Sequence, residues 1–358
     1  MPLTQVDQGL LSSTAQYTGF KNRIINGRME IDQRNAGAAV NFAGGNFPVD
    51  RMRLSVNNGG SGVASAQQNL NSLTPPTGFT NYIGMTVTTA STMGASEAWR
   101  ITQRIEGLNT ADLAFGTAGA SSVALSFWVR SNLTGTFGGV LQNSAANRNY
   151  VFSYSISAAN TWEYKTITIT GDTSGTWLTT NGIGMLLSLS VGAGTSVQAS
   201  AGSWTASSVD SVTGQVNVLA TIGNTFYVTG LQLEKGSTAT SFDFRSFGTE
   251  LALCQRYFES SNPTDQLAYM PFSGYSSIEF YGTFMYKVTK RAVPSVTFNS
   301  TAWLVYYNSS ARTFTSVSAD GVGVNNMSVY IIGSGWAGGG AGFARNIAVN
   351  AIMISAEL

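Results

Sequence analysis

The chain has 358 residues, of which 10% are charged: 19 Lys and Arg against 18 Asp and Glu, a net charge of +1. Globular chains carry about 25% charged residues, so a basic stripe for phosphates is excluded and no nucleic-acid partner is expected. There is no His and one Cys, Cys254, which removes Ser-His-Asp and Cys-His catalysis, the usual zinc sites and an internal disulfide.

At roughly 100–200 residues per domain the length suggests two or three domains. Long charged helix formers are scarce, while Gly, Asn, Ser, Thr and aromatic residues abound. That balance favours strands and tight turns. The opening MPLTQVDQGLLSS has neither a basic segment nor an apolar run of signal-peptide length. The best apolar run, Ile183–Val191, contains two serines and is far shorter than the ~18 residues of a membrane span, so no membrane insertion is expected.

Residues 1–22 are polar and aperiodic, either a flexible end or an arm that docks on a partner. From Ile24, the residues Ile25, Met29 and Ile31 share one parity and Asn26, Arg28, Glu30 and Asp32 the other, which predicts a half-buried strand. Residues 35–49 and 57–78 read as loops, and Met52, Leu54 and Val56 alternate between them. Short alternating runs then recur to residue 235. Val123, Leu125, Phe127 and Val129 oppose Ser126, Trp128 and Arg130; Met185, Leu187, Leu189 and Val191 oppose Ser188 and Ser190; Leu231 and Leu233 oppose Gln232 and Glu234. In 162–170 the phase of Ile167 and Ile169 conflicts with that of Trp162 and Tyr164, which calls for a bulge or a strand covered on both faces. Such a series means an antiparallel sandwich or barrel.

GTELALCQRYF (248–258) spaces Leu251, Cys254 and Tyr257/Phe258 as a short helix, with Thr249 as a cap. Strands resume at Ile278–Tyr286, Val296–Phe298, Trp303–Tyr307, Met327–Ile332 and Ile347–Ile354, with a Gly-rich loop at Gly333–Asn346. The expected fold is all-β, with a large antiparallel domain over 23–248, a short connecting helix, and a smaller C-terminal β domain over 249–358.

No carboxylate pair forms a readable glycosidase motif; Glu97, Glu106, Asp112 and Asp210 are scattered. No catalytic residue, cofactor or metal ligand is expected, Asn57-Asn58 and Asp172 being only weak calcium candidates. Sugars present apolar CH faces that lie on Trp and Tyr rings. Trp128 sits opposite its strand's core parity, a position that also fits a subunit interface or a second covered face. Trp303, Tyr306 and Tyr307 share one short strand, where adjacent tyrosines must point to opposite faces. Trp336 sits in the Gly-rich loop with Phe343 and Arg345. The candidate ligand-binding residues are Trp303, Tyr307 and Trp336. Cys254 reads as a buried thiol.

Several segments carry a resemblance: NRIINGRMEIDQRNAG (22–37), FPVDRM (47–52), WEYKTITITGDTSGTW (162–177), FYVTGLQLEKGSTATSFDFRSFGTELALCQRYFES (226–260) and MYKVTKRAVPSVTF (285–298). The most specific part is QLE-x-G-x-x-AT-x-F-x-x-R followed by EL-x-x-CQRYF. The chain resembles the fibre or tail-fibre-like virion proteins of tailed bacteriophages, especially those with a carbohydrate-binding-module-like jelly roll. That resemblance implies a jelly-roll domain over 23–248, location on the virion, a homotrimer, an N-terminal attachment arm over 1–22 that grips other virion proteins, and attachment to a host surface glycan with the C-terminal domain 249–358 as the candidate receptor-binding tip. Few gatekeeper charges on so much strand also argue for an obligate oligomer. The short arm leaves the position on the particle open. A structural adaptor or decoration protein of tail or head, without a receptor role, and a polysaccharide depolymerase are the two alternatives.

Overall fold

The computed structural model of the protein describes residues 20–60, 63–261, 270–299, 303–307, 310–334, 340–346 and 350–358. The chain divides into two compact units. One ends at Ser246 and takes in Leu358; the other is Phe247–Glu357. No helix among the described residues is long and apolar enough to cross a membrane.

The first unit is an antiparallel β-sandwich of two six-stranded sheets. The front sheet runs Val40–Asn41, Ala64–Gln68, Ile83–Val87, Thr225–Lys235, Val123–Ser131, Glu163–Ile169. The back sheet runs Trp204–Thr205, Asn149–Ile156, Gly135–Gln142, Ile183–Ala193, Ala98–Glu106, Arg53–Asn57. The chain passes repeatedly from one sheet to the other, so neighbours in a sheet are often distant in sequence. Alternation then sorts the side chains. Val123, Leu125, Phe127 and Val129 meet Leu187, Leu189, Phe137 and Trp99 in one shared core. Each such side chain withdrawn from water contributes about 1.5–3 kcal/mol.

Three sequence expectations change. Residues 24–32 form no strand. Asn26 and Met29 take left-handed backbone angles (φ 61° and 59°). The Asn26 side chain accepts from Glu30 N and Ile31 N and donates to Ile31 O and Asp50 O, which knots the segment into a loop. Both parities are therefore buried: Ile24, Ile25, Met29 and Ile31, and Asn26 with them. The presumed loop 57–78 contains the strand Ala64–Gln68. The phase conflict at 162–170 is a single regular strand whose outer face carries Tyr164 while Ile169 faces the core.

In the second unit the helix is Phe247–Gln255, starting two residues before the proposed Thr249 cap. Cys254 is buried. A seven-stranded sheet (Ser310–Arg312, Trp303–Tyr307, Ala341–Asn346, Met270–Gly274, Glu279–Met285, Asn326–Gly333, Phe314–Val322) accompanies a three-stranded one (Phe258–Ser260, Ile352–Ser355, Ser295–Phe298). The last part of the expected Gly-rich loop is thus a strand, Ala341–Asn346, paired on both sides. Lys290, fully buried, donates to Glu259 Oε2 at 2.6 Å and to the Gln255 carbonyl.

Candidate functional site

Two of the three expected ligand residues, Trp303 and Tyr307, are core residues. Trp303 is 5% exposed and Tyr307 3% exposed. Both belong to the core of the second unit, with Val305 between them in the same phase. Trp303 Nε1 donates to the Ala351 carbonyl. These rings pack inward, which corrects the ligand role expected of them. Trp336 lies outside the described residues. The outward ring of the strand is Tyr306, stacked on Phe343 at 5.0 Å with Arg345 above it.

The site that the structure does build lies on the outer face of the front sheet. Register places Ser126 opposite Gln232 and Trp128 opposite both Thr229 and Tyr164, all pointing away from the core. Trp128 and Tyr164 rings meet at 5.3 Å, and Tyr164 is 45% exposed. One wall is the loop Thr77–Phe79. The other is the stretch 239–244, which crosses the sheet's outer surface after the final strand. Phe79, Phe242 and Phe244 form a three-ring cluster at centroid separations of 5.0–5.6 Å. Together these residues enclose a groove of about 460 Å³, rimmed by Thr77, Thr240 and Ser241. No charged side chain lines it.

The specific block QLE-x-G-x-x-AT-x-F-x-x-R is what holds the second wall in place. Gln232 and Glu234 occupy the outward positions of the Thr225–Lys235 strand yet are buried. Gln232 Nε2 donates to Glu234 Oε1 at 2.9 Å, and Gln232 Oε1 accepts from Asp243 N at 2.8 Å. Glu234 accepts from Thr240 N and Thr240 Oγ1, each at 2.7 Å. The pair therefore clamps 240–243 onto the sheet as a strap. Arg245 completes the closure by donating to the Ile24 and Asn22 carbonyls. Asn22 is itself buried and bonded to Leu231 and Leu233, so the sandwich begins at or before this residue. Gly230 (φ +63°) sits at the bulge of that strand, and a Cβ there would come within 2.8 Å of the Phe79 ring and 3.2 Å of Trp128. Only glycine lets both rings approach the floor.

The scattered carboxylates have structural partners. Glu97 accepts from Trp99 Nε1 and Gly94 N. Asp112 pairs with Arg23 and Lys235, and Asp210 with Arg100. Asp172 is held bidentately by Arg148 at 2.6 and 2.7 Å. On the strand Glu163–Ile169, burial pushes the Glu163 carboxyl up. The Lys165 ammonium and donors of Ala158 and Ser157 outweigh it and hold it down at about 2. Among the described residues there is no group of three or more His, Cys, Asp or Glu placed to hold a metal ion.

No family model matches the chain, and no curated protein matches its sequence. The solved structures that are similar in part include the following three. A sugar-binding protein (so described, as putative) from Bacteroides thetaiotaomicron aligns at TM-score 0.32 and 9% identity, covering 60% of this chain and 100% of its own. The enzymatically active domain of tailspike protein 4 of bacteriophage CBA120 aligns at TM-score 0.30 and 12% identity over 60% of this chain, which spans 21% of that one. A family 11 carbohydrate-binding module from Clostridium thermocellum, in complex with a β-1,3-1,4-mixed-linked tetrasaccharide, aligns at TM-score 0.27 and 12% identity, covering 53% and 91%. At such scores the architecture rests on the strand order above.

Proposed function

We propose that this chain is a carbohydrate-binding virion protein of a tailed bacteriophage, and that the front groove holds a neutral saccharide during attachment to the host surface. The observation that carries the reading is the Trp128–Tyr164 pair on the floor of an uncharged groove. Aromatic faces match the CH faces of a sugar ring, and the hydroxyls of Thr77, Ser126, Thr240 and Ser241 match its hydroxyls. The virion role is supported by the sequence resemblance of residues 22–298. A shallow site of this kind binds near 1 mM, about −4 kcal/mol. Three copies on one assembly raise avidity by about 10²–10⁴, so the reading includes a homotrimer.

The test is a glycan array probed with the whole chain, followed by titration of the best neutral ligand against the wild type and Trp128→Ala. Retained binding in a folded Trp128→Ala chain overturns the assignment of the groove. Light scattering of the purified chain checks the assembly: a mass three times the 37.8 kDa of one chain is expected, and a monomer contradicts the trimer.

A further inference from the structure

The opposite face of the sandwich carries a second recess. Alternation along Ala98–Glu106 turns Arg100, Thr102 and Arg104 outward. The neighbouring strand sets Ser55 beside Arg100 and Arg53 beside Thr102. On the other side Leu186 pairs with Arg104 and with Gln142. With Ser208 and Asp210 from the 194–215 segment as a wall, these residues enclose about 290 Å³, near the lower end of small-ligand clefts at roughly 300 Å³.

Its lining is rich in arginine. Three of the chain's 19 basic residues meet here: Arg100 engages the lining carboxylate Asp210, Arg104 donates to the Leu358 carbonyl, and Arg53 donates to Ser55 Oγ. Arg100 is only 7% exposed. Burial first, and the nearby Arg53 as well, press its pKa down, while Asp210 presses it up. Gln142 is 6% exposed. Among the buried atoms at this recess, Arg100 Nε and Gln142 Oε1 have no hydrogen-bond partner among the described residues. They ask for opposite things. A guanidinium N–H calls for an anion or another acceptor, whereas an amide oxygen calls for a donor and repels a bare anion.

We propose that this recess is a second binding site, and that its ligand is a sugar acid: a carboxylate for the arginines and hydroxyls for Gln142, Thr102 and Ser55. One molecule then satisfies both demands, which neither a neutral sugar nor an anion without a hydroxyl group does. The choice of ligand rests on the saccharide reading above; the site itself is separate from the front groove.

The test titrates the whole chain with galacturonate, glucuronate and N-acetylneuraminate, with galactose and acetate as half-ligands. At least one sugar acid is expected to bind tenfold or more tightly than either half-ligand, and to weaken as salt rises. Arg53→Gln, on the half-buried edge strand, should weaken that binding tenfold or more. Gln142→Glu should abolish it by placing a carboxylate among the arginines. Trp128→Ala should leave it unchanged. The proposal is overturned if none of the three acids binds, if acetate binds as well as they do (an adventitious anion site), or if folded Arg53→Gln and Gln142→Glu chains retain the affinity. Loss of neutral-sugar binding in the array, with sugar-acid binding intact, strikes the front groove alone.

Discussion

On the front face of the sandwich, the outward positions of adjacent strands hold Ser126, Trp128 and Tyr164, and the groove over them carries no charge. On the back face, the same alternation presents Arg53, Arg100, Thr102 and Arg104 around Asp210. The two differ in what they cost the fold. A half-exposed aromatic ring forfeits little stability when it is absent from the core. A buried guanidinium stands only while its carboxylate stands. The front can therefore lose binding and stay folded, whereas at the back the charges that would select a ligand also support the structure.

The sharpest break is Asp210→Ala. It strands Arg100 in a buried site, and the first unit should lose about 3–5 kcal/mol, read as a lower denaturant midpoint for its transition. Next is Glu234→Ala on the front. The Thr240 and Gln232 donors lose their acceptor, at about 1–3 kcal/mol, and the strap loosens. Faster amide exchange at 239–244 and lost saccharide binding should appear together. Trp128→Ala should cost stability only about 1 kcal/mol, below the 3–5 kcal/mol of a fully buried ring, while weakening neutral-saccharide binding at least tenfold, about 1.4 kcal/mol.

The smallest effect is on pH. The Glu163 carboxyl is held at about 2, below its ordinary value of 4.5. A depressed carboxyl contributes stability that is fully present above its unfolded pKa and lost as the pH falls through the folded one. Between about pH 4.5 and 2 the wild type should therefore lose a fraction of its stability that Glu163→Gln does not. Equal acid sensitivity in the two chains would show that the Glu163–Lys165 contact is too solvated to matter.

Strand identity was legible wherever one face is apolar and the other polar, as in Val123–Ser131 and Ile183–Ala193. It failed at residues 24–32, because the order there comes from one side chain, Asn26, bonding to backbone rather than from a ladder. In Trp303–Tyr307 both faces carry large apolar residues, so parity alone could not say whether Tyr306 or Tyr307 turns inward; the packing of Trp303, Val305 and Tyr307 decides it. The groove was half legible. Trp128 stood out of phase with its core, and Gln232, Glu234 and Phe242 stood in the most specific block. Their meeting needs a register between strands some hundred residues apart, which a single sequence does not display. The arginine recess left a fainter trace: Arg100, Thr102 and Arg104 share one parity, but Arg53 and Gln142 join them only in the sheet.

The central claim is that the uncharged aromatic groove of the front sheet holds a saccharide. The most direct measurement is calorimetric titration of the wild type and of Trp128→Ala with the neutral oligosaccharide selected by the array. Millimolar binding by the wild type, reduced at least tenfold in a variant that keeps the wild-type circular dichroism, is the predicted result. Equal affinities in the two chains, or no neutral saccharide bound at all, would contradict it.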